Sequence, residues 1–243
     1  MLDIKNLTKT FGDKKAVNDI SLHVSPGELY GFIGHNGAGK STTIKSVCGL
    51  LQFDSGDITV DGHSIKTEPI EVKKIISYLP DNPDMYEFLS GIKYLNFVAD
   101  IFSIPVETRE ERIHKYADLF ELTSDLAQPI STYSHGMKQK LALISALMHD
   151  PKLLIMDEPF VGLDPKAAKV MKDAMRELTD RGGAIFFSTH VLEVAEKLCD
   201  RVAIISHGKL AASGKMDEVL GNESLEDVFF ELDEAARAES DNG

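Results

Sequence analysis

Leu29-Tyr30-Gly31-Phe32-Ile33-Gly34-His35-Asn36-Gly37-Ala38-Gly39-Lys40-Ser41-Thr42 passes from an apolar block through a glycine-rich loop into a segment of different period. Residues 29–33 read as a fully buried strand. From Lys40 onward Ile44, Val47, Cys48 and Leu51 recur on one face of a helix. The loop therefore joins a strand to a helix, and residues 34–42 match the pattern G-x-x-x-x-G-K-[ST]. Its glycines let the backbone wrap so that successive N–H groups point at phosphate oxygens, and the helix N-terminus adds partial positive charge. An ordinary glycine-rich turn is the alternative, and the strand-then-helix context weighs against it. Gly34, His35, Asn36, Gly37, Ala38, Gly39, Lys40, Ser41 and Thr42 are the expected phosphate contacts. Lys40 would reach the β- and γ-phosphates of a nucleotide, and the Ser41 hydroxyl would ligate Mg²⁺. His35 occupies a variable loop position and receives no catalytic role.

Upstream, Leu2 and Ile4 alternate in one strand and Ile20, Leu22 and Val24 in another, followed by the turn signal Ser25-Pro26-Gly27. A small antiparallel β layer is expected there. Residues 58–60 and 75–79 read as further short strands. Between about 84 and 150 strand signals disappear. Ile92, Leu95, Ala99 and Phe102 recur at helical spacing, as do Ile113, Ala117 and Phe120, and then Met137, Leu141, Ile144 and Met148. After Pro151 strands (153–156, 184–188, 202–205) alternate with helices (166–178, 191–198). That alternation indicates a parallel sheet covered on both faces.

The strand at 153–156 ends in Asp157-Glu158. Ligands bind at the C-terminal ends of such strands, so Asp157 would hold Mg²⁺ through water and Glu158 would polarise an attacking water. A capped helix start is the alternative for an isolated acid pair; the loop at 34–42 favours the site.

These residues together resemble the ATP-binding subunit of an ABC transporter over nearly the whole chain. Tyr133-Ser134-His135-Gly136-Met137-Lys138-Gln139 is similar to the family's signature, usually written LSGGQ. A Ser and a Gly at a helix N-terminus can offer a hydroxyl, an N–H and a dipole to an anion, although Ser134 also suits a plain helix cap. The resemblance implies that Ser134, His135, Gly136 and Met137 face the ATP of an opposite subunit. It implies that Phe11 stacks on adenine, with a core position the other reading. Asp164, in Gly162-Leu163-Asp164, matches the loop that communicates across the dimer, and an Asp before Pro165 is also a good cap. His190 matches the switch histidine at the γ-phosphate. Two departures stand out. Asp81 replaces the usual Gln after Tyr78-Leu79-Pro80 and is a candidate metal ligand; His135 and Met137 replace the signature's Gly and Gln.

The implied fold class is α/β: a P-loop NTPase (RecA-like) core with a mainly parallel sheet, an N-terminal antiparallel β subdomain and an inserted α-helical subdomain. Residues 1–80 and 151–222 would form the core, 81–150 the helical subdomain with the signature, and 223–243 an acidic C-terminal helix and tail. The implied cofactors are ATP and Mg²⁺. The implied partners are a membrane-spanning permease and a second nucleotide-binding subunit, the chain lying peripherally on the cytoplasmic face of the cell membrane. Met85, Tyr86, Phe88 and Leu89 would form the permease dock or else the subdomain's own core. The wording of residues 133–139 resembles exporters of drugs, peptides or lipids.

Composition is consistent with this. The net charge of −13 argues against a nucleic-acid binder. A soluble ABC ATPase of translation or DNA maintenance is the alternative. Translation-type members pair two domains in one chain, and chromosome-type members insert a long coiled coil for which 40–134 leaves no room. No stretch approaches the roughly 18 apolar residues of a membrane span, and the N-terminus lacks the features of a signal peptide. Cys48 and Cys199 read as reduced core residues. The acidity of 223–243 reads as a solvated helix running into a frayed tail.

Overall fold

Leu2, Ile4, Ile20, Leu22 and Val24, whose alternation marks strands, are buried in an antiparallel pair, β1 (Leu2–Phe11) with β2 (Lys14–Val24). The structure, a computed structural model, describes residues 1–241, with side chains for all of these except Asp233 and 235–241. Next come β3 (Leu29–Ile33), α1 (Lys40–Val47), β4 (Ser55–Val60), β5 (His63–Ser64), α2 (Pro69–Ile75) and β6 (Ile76–Leu79). The middle third supplies α3 (Gly91–Ile101), α4 (Val106–Leu119), two 3₁₀ turns and α5 (His135–Met148). The chain then returns through β7 (Leu153–Asp157), α6 (Pro165–Asp180), β8 (Ala184–Thr189), α7 (Leu192–Leu198), β9 (Arg201–Ser206) and β10 (Lys209–Lys215). It closes with α8 (Met216–Leu220) and α9 (Leu225–Asp241).

Among the described residues two sheets form. The smaller has the order β2-β1-β4-β5, and the larger β10-β9-β3-β8-β7-β6. In the larger sheet β9, β3, β8, β7 and β6 run parallel, and only the edge strand β10 is antiparallel. Strand residues alternate between two cores. Leu29, Ile33, Leu154, Met156, Ile185 and Phe187 belong to the core shared with α3 to α7, whereas Tyr30, Phe32, Leu153, Ile155 and Phe186 face α1 and the smaller sheet. A strand buried on both faces has no polar side to show, which is why β3 reads as an unbroken apolar run.

This architecture aligns the C-terminal ends of β3, β7 and β8, where α/β sheets bind ligands. Each is followed by a loop that the sequence singled out: Gly34 after β3, Glu158 after β7, His190 after β8.

Some boundaries differ from the sequence expectation. Helix α1 ends at Val47, with Gly49 in a left-handed conformation (φ 65°), so Cys48 is buried as a cap residue and Leu51 lies beyond the helix. Ile75 closes α2, and β6 begins only at Ile76. Both cysteines are free and buried, and burial pushes their thiols well above the ordinary range, leaving them protonated core residues. Helix α9 occupies the acidic C-terminal segment as far as Asp241; residues 242–243 of the expected frayed tail lie outside the described residues.

Candidate nucleotide-binding site

The loop between β3 and α1 is held where only glycine fits. Gly39 has φ 116°, and a Cβ there would sit 2.4 Å from the Ala16 carbonyl oxygen. At Gly34 a Cβ would approach the Ile205 carbonyl oxygen to 2.5 Å. The loop is thus wedged between β2 and β9 by backbone contacts, and any side chain at these positions would displace it. Lys40 is 5% exposed; its Nζ donates to the Gly34 carbonyl at 2.6 Å and to the His35 carbonyl at 3.3 Å. The cation is folded over the concavity that its own loop forms.

The acid pair meets that lysine from the end of β7, which β8 separates from β3. Asp157, 4% exposed at the end of β7, accepts a 2.5 Å hydrogen bond from the Ser188 hydroxyl, and Ser188 Oγ in turn accepts the Glu158 N–H at 3.1 Å. Glu158 adopts φ 48°, a conformation a non-glycine residue rarely holds, so the turn after β7 stores strain that aims its carboxylate. One oxygen, Oε1, lies 3.3 Å from Lys40 Nζ in an ion pair yet accepts no hydrogen bond. The other, Oε2, is 2.9 Å from His190 Nδ1 and accepts the His190 N–H at 3.3 Å. Lys40, Glu158 and His190 form one chain of contacts across three strand ends. Ser188 was missed at the sequence level; its only signal is register, since it pairs with Asp157 across β7 and β8.

Of these groups Lys40, Asp157 and Glu158 border a cleft of 590 Å³, whereas His190 lines a separate one beside it. Phe11 stands on one wall, 51% exposed, with Lys9 Nζ 5.2 Å from its ring centre, so it is not a core residue. Tyr78, Asp81 and Asn82 stand on another, and burial together with the Asp157 charge pushes the Tyr78 hydroxyl above its ordinary range. Lys14 and Lys45 add two cations that sequence reasoning did not select. Ser41, Asp157 and Asp81 supply hard oxygen donors to the same cleft, the donor chemistry Mg²⁺ takes.

Ser134, His135, Gly136, Met137 and Asp164 do not border this cleft. Ser134 caps α5 by accepting the Met137 N–H at 3.2 Å, and Asp164 caps α6 by accepting the Ala167 N–H at 2.8 Å. That backbone hydrogen bond, reinforced by Lys140 at 3.2 Å, holds the Asp164 carboxyl below the usual range. The His135 ring lies against Gly162, where an added Cβ would meet it at 2.7 Å. The signature segment and the Asp164 loop therefore pack against each other, and the bulk of His135 is accommodated by a glycine opposite. His35 turns the other way, its ring edge-on to Phe229 of α9 with centroids 4.6 Å apart.

A mainly parallel sheet that carries a G-x-x-x-x-G-K-[ST] loop after β3 and an acid pair after β7, with β8 between the two strands, defines a P-loop nucleoside-triphosphate hydrolase fold. Comparison with known proteins narrows the class. The model of the ABC transporter family matches residues 17–161. The chain is 37% identical to the ABC transporter ATP-binding protein YhcH of Bacillus subtilis (strain 168), covering 98% of this chain and 77% of that one. It is 35% identical to the Nod factor export ATP-binding protein I of Rhizobium etli, covering 93% and 72%. Among solved structures, the ATP-binding subunit of an ABC transporter superposes with a TM-score of 0.92 at 33% identity, over 96% of this chain and 99% of the other. The chain belongs to the ABC transporter family, as an ATP-binding protein carrying that family's ATPase domain. Among the described residues no helix is long and apolar enough to cross a membrane.

Proposed function

We propose that this chain hydrolyses ATP to drive a separate membrane permease, and that two copies, or this chain and a paralogue, close on two ATP molecules at once. The observation that carries this reading is the separation just described: the cleft holds Lys40, Asp157 and Glu158, while the capped N-terminus of α5 at Ser134 lies elsewhere on the same chain. Burying the several charges of a triphosphate needs donors on both sides. A second subunit placing its Ser134 helix end over the cleft supplies them, so neither half-site is complete alone.

The residues then have distinct tasks. Phe11 offers an exposed ring to the adenine, and the loop N–H groups and Lys40 engage the phosphates. When bound, Mg²⁺ offsets phosphate charge through oxygen donors at Ser41, Asp157 and Asp81. Phosphates in the cleft compete for Lys40, releasing Glu158 from its ion pair to accept a proton from water while His190 orients its carboxylate. Tighter binding of ATP to the closed dimer would favour closure, and hydrolysis would release it. Because Asp81 adds a carboxylate where the family commonly has an amide, Asp81→Gln is expected to raise the Mg²⁺ concentration for half-maximal hydrolysis about tenfold, the usual scale for outer-sphere partners. An unchanged Mg²⁺ titration would remove Asp81 from the metal site.

For the permease, residues 81–150 offer a surface. Met85 is buried in the subdomain, but Tyr86 and Phe88 are 52% and 81% exposed and form an aromatic group with Phe97, ring centroids 5.9 and 5.6 Å from Tyr86. Clustered exposed aromatics suit an interface anchor. Phe88→Glu is expected to weaken co-purification with the permease at least about tenfold while the ATPase rate of the isolated chain stays near wild type. Retained pairing would relocate the dock. Attachment here would hold the chain peripherally at the cytoplasmic face of the membrane. Export is the direction supported by the relative named for Nod factor export, and the wording of residues 133–139 is the basis for a drug-, peptide- or lipid-like substrate.

A further inference from the structure

The sequence left two features without a task, the variable loop residue His35 and the acidic C-terminal helix. The structure joins them. Helix α9 is pinned at its first residue, where the Leu225 N–H donates to Glu196 Oε2 on α7 at 2.9 Å and the Leu225 side chain is fully buried. One turn later Phe229, 5% exposed, presents its ring to the edge of His35, centroids 4.6 Å apart at an interplanar angle of 65°. Helix α7 itself begins two residues after His190. A cleft of about 490 Å³ lies between the loop, His190 and α9, bordered by Glu226, Phe229 and Phe230. The C-terminal helix thus touches the loop through Phe229 and, through Leu225, the helix that follows His190.

We propose that Phe229 is a positioning residue for nucleotide binding, acting through His35 to hold the phosphate-binding loop in its receptive shape. The physical need is plain. Gly34 and Gly39 are wedged against β9 and β2, but a Cβ at Gly37 would meet nothing within 4 Å, so residues 35–37 between the wedged ends keep a conformational freedom that binding must remove. His35 sits between Gly34 and Gly37, and its carbonyl accepts from Lys40 Nζ at 3.3 Å. Fixing the His35 ring therefore fixes the peptide that holds the lysine. Restraint applied before the nucleotide arrives reduces the ordering cost of binding. Phe229 touches neither phosphate nor metal; its effect passes through His35.

The proposal rests on the reading of the cleft as an ATP site, and the test separates the two. ADP affinity is measured by calorimetry, and KM and kcat with ATP and Mg²⁺, on the full chain carrying Phe229→Leu, His35→Ala or both. Phe229→Leu keeps apolar volume in the core while removing the aromatic contact. It is expected to weaken ADP binding and raise the KM for ATP about threefold to tenfold, the worth of an edge-on aromatic pair, with kcat near wild type. His35→Ala, at an exposed position that spares the core, is expected to show the same loss alone. In the His35→Ala background Phe229→Leu should change nothing further, because a shared contact can be lost only once. Equal effects of Phe229→Leu in both backgrounds, or no effect of either single change, overturn the proposal. A wild-type chain that binds neither ADP nor ATP overturns the ATP-site reading instead.

Discussion

Glu158→Gln is expected to bind ATP at least as well as the wild type while hydrolysing it about 10²–10⁴ times more slowly, the usual contribution of a general base. The amide keeps the shape of the carboxyl and can still accept the His190 N–H, now at 3.3 Å. It cannot take a proton from water. Its loss of charge also removes the ion pair that holds Lys40 at 3.3 Å, so phosphate no longer has to displace a carboxylate to reach the lysine. Binding and turnover should therefore separate in opposite directions. Single-turnover hydrolysis and nucleotide titration check this, and size-exclusion chromatography with ATP should show dimer accumulating because the complex is not cleared. Turnover equal to wild type would take the role of base away from Glu158. A parallel loss of ATP binding would instead indicate that the strained turn, with Glu158 at φ 48°, had collapsed.

The parts of this site that could be read from the sequence are those encoded in neighbouring residues. The loop at 34–42 declares itself because its glycines, lysine and hydroxyls must be consecutive for the backbone to wrap a phosphate, and Asp157-Glu158 because a buried strand ends there. Other parts depend on pairings between distant segments. Ser188 supports both acids only through the register of β7 on β8, and nothing in Ser188-Thr189-His190 reveals which neighbour lies opposite. The contact of Phe229 with His35 joins residues from opposite ends of the chain, and an amphipathic acidic helix shows no preference for one surface over another. Strand β10 escaped because Lys209–Lys215 is an edge strand of alternating exposure, rich in Ala, Ser and Gly, without the β-branched residues that mark buried strands. Phe11 was undecided for a similar reason: an aromatic at the end of a strand suits a core and a platform equally, and only its 51% exposure beside the cleft favours the platform. Local motifs announce the chemistry, whereas supporting contacts depend on how the sheet is assembled.

Gly39→Ala should be as damaging to nucleotide binding as Glu158→Gln is to turnover, and for a purely steric reason. An alanine at φ 116° takes on the left-handed penalty of about 1–2 kcal/mol. Its Cβ would also lie 2.4 Å from the Ala16 carbonyl oxygen, a backbone atom of β2 that cannot swing aside as a side-chain tip can. Overpacking of this kind adds about 1–3 kcal/mol. The loop then has two outcomes. If it keeps its path, the strain lowers the melting temperature; if it moves, the N–H groups leave the phosphate site, and affinity falls about a hundredfold, each tenfold being 1.4 kcal/mol. Gly37→Ala separates conformation from contact. That residue has φ 83°, but a Cβ there would meet nothing within 4 Å, so only the left-handed penalty applies. Gly12→Ala, with φ 57° and equally open surroundings in the turn between β1 and β2, controls for the same penalty away from the phosphate loop. Melting curves and ATP titrations of the three variants should therefore rank Gly39→Ala well below Gly37→Ala in affinity, with Gly12→Ala losing stability alone. Equal losses at Gly39 and Gly37 would mean that φ, and not the wedge against β2, sets the shape of the loop.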